Sequence, residues 1–230
     1  MDATTSNNQK RLAAESAVAL IKDGMIVGLG SGSTAEVAIQ LIGERVKQGL
    51  TIIGVPTSHK SEALAKKLGI HLSTLAVNTQ LDLTIDGADE VELGSLDLIK
   101  GLGGALLDEK IVASSSRELI IMVDETKLVN QLGAHGKVPV EIVPFGWQST
   151  ARRLEQRGWK PVLRQDSAGA PYLTDGGHHI VDCAFAANTS LQSKAAELHN
   201  TVGVVEHGIF LGMASQVHVG AASGVRILKR

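Results

Sequence analysis

A chain of 230 residues with 43% apolar and 20% charged residues has the composition of a globular protein, with room for one large domain or one domain carrying a smaller insertion; disorder and fibrous repeats are excluded. The formal net charge of -2, with acids and bases mixed along the chain, supplies no basic field for nucleic acid, and 3% aromatics leave little to stack on bases. The single cysteine, Cys183, permits no intrachain disulfide and is expected to be a small buried apolar residue; no apolar run of about 18 residues is present to span a membrane, and polar residues 1–10 lack a signal peptide's apolar core, so a reducing cytoplasm is the expected location.

In chain order, the spacing predicts a helix over 9–22 that stops at Gly24, a natural left-handed C-terminal residue. A β-branched run predicts a strand at 25–29, followed by a helix over 34–48 in which Val37, Leu41 and Ile42 share one face. Strand 51–55, helix 58–68, strand 81–85, helix 104–116 and strand 118–123 continue the alternation, which is how a mostly parallel α/β sheet flanked by helices reads. After Gly133 the texture changes. Residues 137–145, with Pro139 and Pro144, read as extended; a helix over 147–157 ends at Gly158; strands at 160–164 and 180–184 flank the turn Asp175-Gly176-Gly177; and a helix covers 190–199. An inserted strand-helix-strand-strand-helix unit closing near Thr201 is expected, with the tail at 208–228 returning to the first sheet. The expected domains are therefore 1–132 with 206–230, and a smaller α/β unit at 133–205.

The segment Gly28-Leu29-Gly30-Ser31-Gly32-Ser33-Thr34 lies between a predicted strand and a predicted helix, where backbone N–H groups and the helix dipole favour an anion. The third glycine of a dinucleotide fingerprint is absent, the second strand ends without a ribose-binding carboxylate, and no Gly-Lys-Ser/Thr closes a P-loop, so a phosphomonoester fits better than a nucleotide. The same residues also fit a tight strand-to-helix turn without a ligand.

Further strand ends carry charge. Asp82-Leu83-Thr84-Ile85-Asp86-Gly87-Ala88-Asp89-Glu90 runs from a buried strand into carboxylates, and mutual repulsion there would poise an acid or base near neutrality. A solvated acidic loop with side-chain caps is the plain alternative. Lys100 ends the next apolar stretch before a glycine loop, and the helix after it carries Asp108 and Glu109 in its early turns; Glu109 acts as a base only if it faces Asp86, Asp89 and Lys100. Lys127 follows another strand. His178 and His179 are neighbours on a predicted strand and point to opposite faces, a poor pair for a metal. His207 is an acid-base candidate, although a turn histidine satisfying backbone is commoner.

At these residues the chain resembles type A ribose-5-phosphate isomerases, over nearly its whole length. The shared segments are GLGSGSTA (28–35), DGADE (86–90), IKGLGGALLDEKI (99–111), MVDETK (122–127), KVPVEIVPF (137–145), TDGGHHIVD (174–182) and GVVEHGIF (203–210). The resemblance implies a Rossmann-like main domain, a smaller domain often used in oligomer contacts, and interconversion of ribose 5-phosphate with ribulose 5-phosphate through an enediolate, without metal or cofactor. By motif position it implies Glu109 as the base, Asp86, Asp89 and Lys100 around the sugar oxygens, and Ser31, Gly32, Ser33 and Thr34 as the phosphate loop, with Lys10 and Lys127 as added phosphate contacts. A small-molecule sugar phosphate is the expected partner, in a homodimer or homotetramer without nucleic acid or membrane. Leu102 interrupts the family's glycine run, and would be strained if its backbone needed positive φ. Rival expectations on a related scaffold are a sugar-phosphate-sensing module, an amino-sugar phosphate isomerase-deaminase and a CoA transferase. The first lacks an attached DNA-binding segment, and the pairing of KGLGGAL with DGADE argues against the others.

Overall fold

The computed structural model describes residues 3–185 and 190–230; residues 1–2 and 186–189 of the two expected domains lie outside it. The first half contains α1 (Ala3–Val18), β1 (Ile26–Leu29), α2 (Ser33–Lys47), β2 (Ile53–Pro56), α3 (His59–Lys67), β3 (Leu81–Gly87), β4 (Glu90–Glu92), β5 (Leu98–Ile99), α4 (Leu106–Ser114) and β6 (Ser116–Asp124). The second contains β7 (Leu128–Val129), β8 (Val138–Ile142), α5 (Trp147–Gln156), β9 (Lys160–Leu163), β10 (His179–Ala184), α6 (Leu191–His199), β11 (Val204–His207), β12 (Ile209–Phe210), β13 (Gln216–Ala221) and β14 (Gly224–Lys229).

The main sheet has the order β14-β13-β6-β3-β1-β2, parallel except for the hairpin β13-β14. The chain leaves β1 toward β2 on one side and comes back to β3 on the other, so the strand order reverses between β1 and β3, the place where open α/β sheets leave a crevice at their carboxyl ends. The period of two is visible in β6: Ile120 and Met122 enter a core with α1 and α2, while Leu119, Ile121 and Val123 enter one with Phe210 and Val217. Truncating such a fully buried side chain, for instance Ile120→Ala, costs about 2–5 kcal/mol.

A second, antiparallel sheet, β11-β8-β10-β9, is packed by α5 and α6 around Trp159 and Leu198. A third sheet of two- and three-residue strands, β12-β5-β4-β7, joins the other two, and its Ile99 and Ile209 belong to the second sheet's core.

Three local expectations change. Helix α1 starts earlier and ends at Val18, because the chain tightens there into Leu20 N–H to Ala17 and Ile21 N–H to Val18 bonds, and Arg45 of α2 donates to the carbonyls of Val18 and Ile21. Gly24 is left-handed (φ 79°), but six residues beyond the helix end. The second sheet does not close at Thr201: β11, carrying a bulge between Val204 and Glu206, pairs with β8 as far as His207. Leu102 is unstrained, since Gly101 (φ 102°) and Gly104 (φ 90°) take the left-handed positions around it; among the described residues the one non-glycine at positive φ is Leu96.

Candidate active site

At the carboxyl ends of β1 and β3 two loops are held against each other by a single side chain. Asp86 Oδ1 accepts the backbone N–H of Ser31 (3.1 Å) and of Gly87 (2.7 Å). Gly30 must be glycine for this approach, because a Cβ there would lie 2.3 Å from Asp86 Oδ1. Gly32 (φ 91°) then turns the chain into α2, whose N-terminus has no side-chain cap and so offers its first-turn N–H groups to an anion. Lys10 of α1 reaches over to donate to Ser33 Oγ (3.1 Å).

Ser31 serves the loop from behind. Its hydroxyl donates to Ser58 Oγ (2.7 Å), Ser58 to Ser61 Oγ (3.0 Å), and Ser61 to the carbonyl of Gly30 (2.6 Å), with Thr57 Oγ1 also 2.8 Å from Ser31 Oγ. This closed chain of hydroxyls braces the loop from the end of β2. Sequence reasoning missed it, although Thr57-Ser58 after a strand is the same signal that singled out Ser33 and Thr34.

Lys100, at the end of β5, is buried among acids. Its Nζ lies 3.0 Å from Asp86 Oδ2 and 3.3 Å from Glu109 Oε1, and it donates to the carbonyl of Gly87. Its own backbone N–H goes to Gly208 (2.8 Å), and Phe210 covers it with a ring centroid 5.7 Å from Nζ. Burial alone would lower the lysine pKa; the charges of Asp86 and Glu109 outweigh it and hold the ammonium well above its ordinary range.

Glu109 sits in the first turn of α4, 5% exposed, facing Lys100, whereas Asp108 beside it faces the opposite way. Burial raises the Glu109 pKa to about 8, with Lys100 opposing and the charges of Asp86 and Asp89 adding to the rise. Asp86 is raised by burial too, against the pull of Lys100 and its two backbone donors. While Oε1 of Glu109 faces Lys100, Oε2 is buried without a hydrogen-bond partner.

These groups meet in one cavity of about 130 Å³. Ser31, Gly32, Ser33, Thr34 and Lys10 line one end with Lys127, which follows β6 in a 3-10 turn. Asp89, Lys100 and Glu109 line the other, and Asp86 lies buried behind them as the link between Lys100 and Ser31. The glycines Gly87, Gly101 and Gly103, read from sequence only as turn and loop residues, form part of the wall. A roomier groove of about 430 Å³ lies against the far side of α4, with walls of Leu72, Leu75 and Ile111; the buried charges face away from it, so the smaller cavity holds the chemistry.

The other candidates are placed elsewhere. His178 Nδ1 pairs with Glu141 (2.9 Å) and His179 Nδ1 with the carbonyl of Tyr172 (3.2 Å), so the two rings serve different partners. Buried His207, its pKa lowered to about 4 by burial and by Lys110, has its Nδ1 3.3 Å from the N–H of Ile209. Cys183 is fully buried. Among the described residues no group of three or more His, Cys, Asp or Glu is arranged to hold a metal, and no helix is long and apolar enough to cross a membrane.

The known proteins that match nearly the whole of this chain belong to one family. The family model described as ribose 5-phosphate isomerase A (phosphoriboisomerase A) matches residues 53–224. The chain is 54% identical over 219 residues to a ribose-5-phosphate isomerase A of Gloeobacter violaceus, covering 95% of each, and 50% identical to that of Gluconobacter oxydans, covering 98% of each. Among solved structures, the ribose 5-phosphate isomerase A of Methanocaldococcus jannaschii superposes with a TM-score of 0.92 at 41% identity, over 96% of this chain and 98% of that one. A D-ribose-5-phosphate isomerase in complex with phospho-erythronic acid superposes with a TM-score of 0.94 at 38% identity over the whole of both chains.

Proposed function

We propose a division of labour in the cavity from the premise that this chain belongs to the ribose 5-phosphate isomerase A family and interconverts ribose 5-phosphate with ribulose 5-phosphate. The observation that carries it is the continuous contact from Glu109 through Lys100 and Asp86 to Ser31, which sets a carboxylate and a phosphate-type loop at two ends of one cavity.

The substrate phosphate sits on the first-turn N–H groups of α2 and the hydroxyls of Ser33 and Thr34, with Lys10 and Lys127 adding charge. Ser31 and Gly32 shape that seat. The phosphate is the handle whose binding energy registers the sugar against Glu109. Asp89, at the cavity wall, moves the proton that opens the furanose ring, while Asp86, buried behind it, holds Lys100 and the Ser31 loop in place. Oε2 of Glu109 then removes the hydrogen on C2 of the aldose, the C1 carbonyl oxygen gaining the negative charge of an enediolate. The ammonium of Lys100 stabilises that charge in a site shielded from water. Return of the proton to C1, with transfer of the hydroxyl proton from O2 to O1, leaves the C2 ketone. A glutamate raised toward neutrality suits both halves, since it accepts and gives back one proton at similar cost.

The smaller domain, expected at 133–205 and carried to His207 by β11, takes part, with its exposed Phe145 and Val202, in contacts of a homodimer or homotetramer in the cytoplasm. The buried single thiol and the balanced charge support a reducing compartment without nucleic acid. Steady-state kinetics of Glu109→Gln test the assignment: kcat falls by about a hundred- to ten-thousandfold with little change in KM. Near-native turnover would remove Glu109 from the role of base.

A further inference from the structure

The loop that carries Asp89's partner has one hydrogen bond of its own, from the Gly104 N–H to the Gly101 carbonyl (3.0 Å). Residues 101–104 read Gly-Leu-Gly-Gly, with Gly101 and Gly104 in left-handed conformations, a segment that loses much conformational freedom when ordered. Within it, the backbone N–H of Leu102 donates to Asp89 Oδ2 (2.9 Å), and so sets the direction of a carboxylate that lines the cavity.

A further constraint on this loop comes from the second sheet. Arg164, at the end of β9, donates from Nη1 to the carbonyls of both Gly101 and Leu102 (3.1 Å each). The rest of the same guanidinium is fixed from behind: Nε donates to Asp182 Oδ2 (3.1 Å) and Nη2 to Asp182 Oδ1, on the neighbouring strand β10. Tyr172 lies against its plane, 5.9 Å from ring centroid to Cζ, and the same tyrosine packs on Gly104, where a Cβ would meet its hydroxyl at 2.3 Å. The Arg164 side chain is 13% exposed, so this fork is spent inside the protein. The planar guanidinium grips both oxygens of a carboxylate on one edge and two carbonyls on the other, four bonds in a fixed fork, whereas an ammonium has three donors and no fork.

We propose that Arg164, held by Asp182, is a positioning residue for the isomerisation: by gripping the carbonyls of residues 101 and 102 it aims the Leu102 N–H that orients Asp89. This rests on Asp89 acting on the sugar oxygens, as given above. Arg164 itself lies outside the cavity lining.

The test is a double-mutant cycle in the full chain, with steady-state kinetics on ribose 5-phosphate for Arg164→Met, Asp89→Asn and the double variant. Inorganic phosphate, as competitive inhibitor, probes the α2 loop separately. Arg164→Met lowers kcat/KM by about a hundredfold, the scale of a misplacement near 1 Å, and leaves the phosphate inhibition constant unchanged. In the Asp89→Asn background the same substitution costs less than about twofold, the tolerance of an additive pair. Arg164→Lys, which keeps the ion pair with Asp182, falls nearly as far, and carries the same comparison if the methionine variant does not fold. An equal loss in both backgrounds, native kinetics in Arg164→Met, or a phosphate constant that moves together with kcat/KM overturns the proposal while Asp89→Asn remains impaired. Unimpaired Asp89→Asn would instead overturn the role of Asp89, and the positioning role with it.

Discussion

Glu109 Oε1 lies 3.3 Å from the Nζ of Lys100, yet the glutamate pKa is raised to about 8, because burial and the charges of two aspartates outweigh one ammonium. The free enzyme therefore shows an acid limb in kcat/KM with a midpoint near pH 8, distinct from the substrate's second phosphate ionisation near pH 6. A pH–rate profile checks this, and a limb in the ordinary carboxylate range would contradict it.

The same shift bears on stability. Unfolded, Glu109 releases its proton near 4.5; folded, it keeps it to about 8. Between these values the folded state binds more protons, so this residue's contribution to stability falls as pH rises. Denaturant melts of wild type and Glu109→Gln from pH 5 to 8 should show the variant gaining relative to wild type as pH increases. A constant difference would place the titration elsewhere.

Removing the ammonium should expose the cost of the acids around it. In Lys100→Met, Asp86 and Glu109 remain buried without a counter-charge, a loss of about 3–5 kcal/mol at pH 8. Stability recovers toward pH 5 as the carboxyls take up protons, while turnover stays low because the enediolate has lost its cation. A deficit independent of pH would mean that packing against Phe210, not charge, is what Lys100 supplies.

At the phosphate end, Ser33→Ala and Lys10→Met should raise KM by about tenfold or more, the worth of a lost charge-assisted hydrogen bond, with kcat nearly unchanged. Competition by inorganic phosphate should weaken in parallel. A fall in kcat at constant KM would show that these residues act on the reacting carbons instead.

Much of this arrangement is legible in the sequence because it is local. Strand-to-loop transitions at Gly28–Thr34 and Asp86–Asp89 follow from hydrophobic period and glycine spacing, and the family resemblance supplied the roles at Lys100 and Glu109. Other features lie between segments far apart in the chain. Arg164 looks like any arginine at the end of a strand until β9 is set beside residues 101 and 102, and Gly208 is ordinary until its carbonyl receives the N–H of Lys100. Strands β4, β5, β7 and β12 span two or three residues each, too short for an alternating pattern to show. The bulge in β11 breaks the period-two signal just where the second sheet ends, which moved the expected boundary. The strain anticipated at Leu102 failed to appear because its flanking glycines absorb the turn.

The most direct measurement is NMR of ribose 5-phosphate turnover in deuterated water, run with wild type and Glu109→Gln. Proton transfer through the unpartnered Oε2 of Glu109 predicts deuterium entering at the transferred position with wild type, and loss of both turnover and exchange in the variant. Exchange at the wild-type rate in Glu109→Gln, or native turnover without label in either protein, would contradict it.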